Sequence, residues 1–226
     1  MKKLLLSAAG AAALLAGVAT AQDSPFSVTG TVALTSNYMF RGISQTFGDP
    51  ALQASVTVAH ESGFYAGFWG SSIDFGDDSD FELDGYVGYG GALGDSTTFD
   101  VNVTYYGYPS APDGTDYDYV ELIGGITQDL GFGKLGVKAA YSPDFFGGIG
   151  DAFWLGGSAS ANFTDWLSIS GNVGYQWFDD EGFDDYMHYD IGLTATVENV
   201  SFDIRYVGTD IDTVDEEVVG TVTFAF

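Results

Sequence analysis

Apolar and small or polar residues alternate along most of this chain in stretches of about ten, which is the period of a β-strand and not of a helix. In the first stretch Val28, Val32, Leu34, Tyr38 and Phe40 share one face, and Thr29, Thr31, Thr35, Asn37 and Arg41 share the other. Leu52, Ala54, Val56 and Val58 then oppose Gln53, Ser55 and Thr57, and Phe81, Leu83, Val87 and Tyr89 oppose Glu82, Asp84 and Tyr86. Phe99, Val101, Val103 and Tyr105 oppose Asp100, Asn102, Thr104 and Tyr106, while Leu135, Val137 and Tyr141 oppose Lys134, Gly136 and Lys138. The pattern continues through Leu167, Ile169, Val173, Tyr175 and Trp177, through Tyr189, Ile191 and Leu193 against Asp190 and Thr194, and through Phe202, Ile204 and Tyr206 against Asp203 and Arg205. It ends on Val218, Val222, Phe224 and Phe226. Residues 64–75 are aromatic on both faces, and 119–127 and 152–163 alternate poorly, so their orientation stays open.

The connections alternate too. Short ones surround Glu61-Ser62-Gly63, Gly94-Asp95, 128–133, Thr164-Asp165 and Glu198-Asn199. Longer, mostly acidic ones run through 42–50, 74–80, 109–116, 143–151, 179–185 and 208–217. Short turns at one end and long loops at the other, around an even count of about twelve amphipathic strands, are the layout of an outer-membrane barrel. Hydrocarbon offers no hydrogen bonds, so amphipathic strands can cross it only by closing on themselves. The expected fold is therefore an all-β, transmembrane, antiparallel up-and-down β-barrel with both termini in the periplasm. Tyr38, Phe40, Phe75, Tyr105, Tyr141, Trp166, Trp177, Phe178 and Phe226 lie toward strand ends, where rings are expected at the membrane interfaces.

The N-terminus fits export. Lys2 and Lys3 precede an apolar run to Ala19, and Ala19-Thr20-Ala21 gives a small-x-small cleavage pattern. Residues 1–21 read as a signal peptide and 22–226 as the barrel, placed in the outer membrane of a Gram-negative cell. No later segment approaches the roughly 18 continuous apolar residues of a spanning helix.

Composition sharpens this picture. The chain has no cysteine, so disulfides and thiolate metal sites are excluded. It carries 32 acids against 6 bases, a net charge of −26. Beyond the signal only Arg41, Lys134, Lys138 and Arg205 remain as fixed cations, and a surface this acidic excludes nucleic acid as a partner. Because the mean hydropathy is nonetheless slightly positive, at +0.09, the acids must be segregated from the apolar face.

The polar face supplies the pore-lining candidates Arg41, Glu82, Asp84, Asp100, Lys138, Asp190, Asp203 and Arg205. Their acids outnumber their bases, which favours cations in an open pore. The competing structural role is ion pairing across the lumen, with Asp203 or Glu82 as the partner expected for Arg41. Acidic loops such as Asp77-Asp78-Ser79-Asp80 and Asp215-Glu216-Glu217 suit weak divalent-cation binding, without the spacing of a calcium loop. No cofactor or resident metal is expected. An enzyme is disfavoured, since only His60 and His188 offer imidazole bases and neither sits in a nucleophile motif. Gly131-Phe132-Gly133-Lys134-Leu135-Gly136 has a dinucleotide-site glycine pattern but leads into a strand, where no helix N-terminus can hold a pyrophosphate.

Ser36-Asn37-Tyr38-Met39-Phe40-Arg41-Gly42-Ile43-Ser44-Gln45, with Pro50-Ala51-Leu52-Gln53 and Ser142-Pro143-Asp144-Phe145-Phe146, resembles the TorF family of exported proteobacterial porin-like proteins. The resemblance spans the mature chain and implies an outer-membrane pore. It assigns no site residues. The expected function is passive diffusion of small neutral or cationic solutes; the alternatives are a non-conducting structural or adhesive barrel and a secreted soluble barrel. Expected partners are outer-membrane lipid, lipopolysaccharide and the barrel-assembly machinery, which would read the terminal Phe226.

Overall fold

A computed structural model describes residues 24–226, and the signal peptide expected at 1–21 lies outside the described residues. The strands are β1 (Phe26–Thr35), β2 (Met39–Phe40), β3 (Ile43–Ser44), β4 (Ala51–His60), β5 (Phe64–Ser72), β6 (Phe81–Ala92) and β7 (Thr97–Gly107). They continue as β8 (Tyr119–Asp129), β9 (Gly133–Ser142), β10 (Ala152–Asn162), β11 (Leu167–Phe178), β12 (Tyr186–Val197), β13 (Val200–Thr209) and β14 (Glu217–Ala225). All but β2 and β3 form one closed antiparallel barrel of twelve strands, each paired with its neighbour in sequence and the last with the first. The expected fold class is what the structure shows.

Closure is made between β1 and β14, in a register that sets Thr31 opposite Ala225 and Leu34 opposite Val222. Gly30 and Phe226 exchange backbone hydrogen bonds of 2.9 and 3.0 Å, which carries the ladder to the last residue. The Phe226 ring lies over Gly30 so closely that a Cβ there would come within 2.5 Å of it. The C-terminal aromatic thus seals the seam, and the seam requires a glycine beneath it.

Outward positions carry large apolar side chains left exposed, among them Leu34, Leu52, Val87, Val137, Val173, Ile191, Ile204 and Val222. A closed barrel with an apolar exterior buries that surface only in a hydrocarbon medium. The ambiguous strand resolves cleanly: in β5 Phe64 and Phe68 are exposed outward, while Tyr65 and Trp69 turn in. In β8, Tyr119, Glu121 and Ile123 are buried inward, and Val120, Leu122 and Ile126 are exposed outward.

Two expectations are corrected. The first barrel strand stops at Thr35, short of Arg41, because the chain turns inward and forms the hairpin β2–β3, with Phe40 paired to Ile43. Tyr38, Phe40, Phe75 and Phe178 are not interfacial rings. The first three pack onto an internal cluster of Ile73, Tyr106, Tyr108 and Tyr119, and Phe178 faces inward against Phe145 and Tyr186. The rings of Tyr105, Tyr141, Trp166, Trp177 and Phe226 do stand exposed on the outside.

Candidate functional site

The lumen has two halves. Five short turns and both described ends of the chain lie at one mouth of the barrel; the six long connections lie at the other. In the half nearer the turns, inward positions carry small polar side chains that stay partly accessible, including Thr31, Ser55, Thr57, Thr127, Ser170 and Thr223, and Ser158 and Asn172 are exposed although they face the interior. In the half nearer the loops, inward residues are buried: Ser71, Glu82, Tyr106, Glu121, Ser142 and Gln176 have relative exposures between 0 and 8%.

The segment 36–50 fills this half, together with Phe75, Phe145 and Phe146 from other long connections, which pack on the same internal cluster. Instead of arching away from the barrel it folds into the mouth, where Ser44 Oγ donates to Asn37 Oδ1 at 2.7 Å and the Asp74 amide donates to the Gln45 carbonyl at 2.9 Å. Its tip crosses the lumen. Tyr38 packs on Trp69 of β5 at 5.3 Å and Phe40 on Tyr106 of β7 at 6.0 Å. On the far wall Gly42 lies against β12 and β13, where an added Cβ would meet Thr209 Cγ2 at 2.5 Å and His188 Cβ at 2.8 Å. The turn needs left-handed backbone at Arg41 (φ 48°) and Gly42 (φ 83°), and only glycine fits the second position, for both reasons.

Arg41 anchors this tip. Its Nη2 donates to Glu121 Oε2 of β8 at 2.7 Å, its Nη1 donates to Gln176 Oε1 of β11 at 2.7 Å, and its guanidinium carbon lies 4.8 Å from the Phe40 ring centre and 4.9 Å from that of Trp154. Tyr106 Oη also donates to Glu121, at 3.1 Å, and Trp154 Nε1 donates to His188 Nε2 at 2.8 Å. The expected partners of Arg41, Asp203 and Glu82, are not the ones it takes. The inward turn carries it past them to Glu121, a residue that sequence reasoning passed over.

Glu82 and Asp84 face the same half, at 2% and 5% exposure. Glu82 Oε1 accepts from Tyr108 at 3.3 Å, while Glu82 Oε2 and Asp84 Oδ1 have no hydrogen-bond partner. No cation lies within ion-pair distance of either among the described residues. Three buried carboxylates therefore share the loop half with one guanidinium.

The other candidates sit in the accessible half. Arg205 is paired with Asp190 and with Asp203 (3.2 Å), and its Nη2 also donates to Ser170 at 2.9 Å. Asp203 accepts from Thr194 at 2.7 Å, Asn172 donates to Asp190 at 2.9 Å, and Asp100 accepts from Tyr65 at 2.7 Å. Lys138 runs alongside Gly125, where an added Cβ would come within 2.7 Å of its Cγ. With Lys134 and Asp129, which face each other across β9 and β8, this half has three bases, Lys134, Lys138 and Arg205, and four acids, Asp100, Asp129, Asp190 and Asp203.

The acidic loops brace the mouth. Asp77 accepts from the Ser79 amide at 2.8 Å and from Tyr117 Oη at 2.9 Å, and the Ser79 amide is the larger cause holding the Asp77 carboxyl below its usual range. No set of three or more His, Cys, Asp or Glu among the described residues is arranged to hold a metal ion. His60 Nδ1 lies 2.7 Å from Ser62 Oγ inside one short turn, and His188 is engaged by Trp154.

Residues 19–224 match a family model described as "Bacterial protein of unknown function (Gcw_chp)". The chain belongs to the Gcw_chp family. That match carries no TorF name, and no curated protein matches the chain. Among solved structures, the barrel is similar to the KdgM porin (TM-score 0.61, 10% identity, covering 88% of this chain and 98% of that one). It is also similar to the NanC porin (TM-score 0.57, 10% identity, 88% and 97% covered) and to an outer membrane channel from Pseudomonas putida F1 (TM-score 0.53, 10% identity, 97% and 98% covered). At such identities the likeness is one of fold. This Gcw_chp barrel therefore has the closed architecture of porins, with a filled loop half.

Proposed function

We propose that this chain is an outer-membrane channel for passive diffusion of small neutral or cationic solutes, with an entrance governed by the 36–50 hairpin. The observation that carries the reading is the water-accessible, polar interior of the turn half inside an apolar-coated closed barrel. Solutes would pass a wall of hydroxyls with alternating charges, and size and sign would be set there. In the accessible half four inward acids (Asp100, Asp129, Asp190, Asp203) face three inward bases (Lys134, Lys138, Arg205), which favours cations. The resemblance to TorF proteins, the export signal expected at 1–21 and the porin-like fold agree with an outer-membrane site of action. In that setting the apolar belt contacts lipid and lipopolysaccharide, Phe226 is presented to the assembly machinery, and the acidic loops share divalent ions weakly. No chemical step is required of the protein.

The filled loop half favours a second reading, a non-conducting structural or adhesive barrel whose acidic loops do the work. Single-channel conductance of refolded protein in a planar bilayer under a salt gradient separates the two. Discrete cation-preferring steps support the channel; an inserted, folded and silent barrel supports the surface role.

A further inference from the structure

Arg41 sits in the wall as a ligand sits in a receptor. The receptor belongs to the barrel and not to the hairpin: Glu121 Oε2 and Gln176 Oε1 accept from the guanidinium at 2.7 Å each, and the Trp154 ring lies 4.9 Å from its carbon. Each of these groups is fixed from behind by other wall atoms. Tyr106 Oη donates to Glu121, the Gln176 amide donates to the Phe153 and Trp177 carbonyls at 3.2 Å each, and the Trp154 indole donates to His188. Both acceptor residues are only 1% exposed. A buried carboxylate, an amide oxygen and an aromatic face are the partners that a planar, multiply donating cation takes.

We propose that this frame is a binding site for guanidinium-bearing solutes, which Arg41 occupies as an internal stand-in. The proposal rests on the channel reading only for the route by which a solute arrives. Two further features fit it. Glu82 and Asp84, buried with one unpartnered oxygen each, leave hydrogen-bond acceptors in the loop half that the hairpin does not engage and that a multiply donating solute could take. The tip that carries Arg41 turns on left-handed backbone at Arg41 (φ 48°) and Gly42 (φ 83°) within its own β2–β3 hairpin, so the tip can leave the seat as a unit without rebuilding that turn. Seating a solute cation in place of Arg41 keeps Glu121 paired, whereas simple withdrawal would leave it buried and alone.

The test uses methylguanidinium and the refolded barrel in detergent micelles. In the intact protein the hairpin competes for the seat, which lowers apparent affinity by the fraction of molecules in which the seat is free. Arg41→Ala removes that competitor. Calorimetry is expected to show one methylguanidinium bound per R41A barrel, about tenfold or more tighter than to the intact protein. The same ligand should raise the unfolding temperature of R41A but not of R41A with Glu121→Gln. Absence of binding to folded R41A, or equal binding by R41A and the double variant, overturns the proposal, the latter by placing the cation on the acidic loops. If R41A does not refold, Arg41→Lys, which keeps the charge but loses the planar fork, replaces it in the same comparison. Neither readout involves ion current. A silent barrel that binds methylguanidinium contradicts the channel reading and leaves this site standing; a conducting barrel whose R41A variant does not bind does the reverse.

Discussion

The two halves of the lumen are built from the same twelve strands with the same alternation, yet Ser158 and Asn172 meet water at one end while Ser71 and Gln176 are sealed at the other. The strands decide which side chains point inward. Whether those side chains are wet is decided by the connections between strands: the 36–50 hairpin, with Phe75, Phe145 and Phe146 packed on the same internal cluster. Charge follows the same division. In the accessible half Arg205, with a side chain 22% exposed, is shared between two carboxylates; in the sealed half Arg41, 9% exposed, is committed to Glu121 at 2%. Pairs of the first kind are replaceable by water, and pairs of the second are not.

The sharpest way to break this comparison is to remove the sealed carboxylate. Glu121→Ala leaves the Arg41 guanidinium enclosed without its counter-charge and is expected to cost about 3–5 kcal/mol in urea unfolding from micelles. A loss below about 1 kcal/mol would mean that the pair is solvated and the halves alike. Val137→Lys, on the exposed outer face of β9, should cost about 2–4 kcal/mol when folding into vesicles is measured, because a lysine there faces hydrocarbon. Gly42→Ala combines a forbidden contact with Thr209 and a strained φ, and is expected to unseat the hairpin at about 1–3 kcal/mol, seen as faster amide exchange across 36–50. The smallest effect is expected for Asp203→Asn, under about 1 kcal/mol, since Arg205 keeps Asp190 and Ser170. A loss as large as that of Glu121→Ala would erase the distinction between the halves.

The barrel was legible in the sequence because lipid imposes a period on each strand: Leu34, Val87, Val137 and Ile204 all face outward as their alternation requires. The hairpin was not, since Tyr38 and Phe40 continue the apolar phase of β1 and periodicity alone extends the strand through them. Gly42 and Gly48, both left-handed, were the local signs of a turn, but nothing local says that the turn points inward. Glu121 was overlooked for a related reason. Its inward neighbours Tyr119 and Ile123 are apolar, because that half of the interior is packed and not wet, and a pattern that expects polar residues inside looks irregular there. The choice of Glu121 over Asp203 as the partner of Arg41 depends on where an inserted loop ends, which strand periodicity does not encode.

The division of the lumen is tested most directly by thiol accessibility, since the chain has no cysteine of its own. Ser158→Cys places one thiol in the turn half and Ser71→Cys one in the loop half, each to be reacted with a membrane-impermeant maleimide on the folded barrel. The first is expected to label rapidly and the second to resist until Arg41→Ala is added. Equal labelling of both positions with Arg41 in place would contradict a lumen sealed at its loop end.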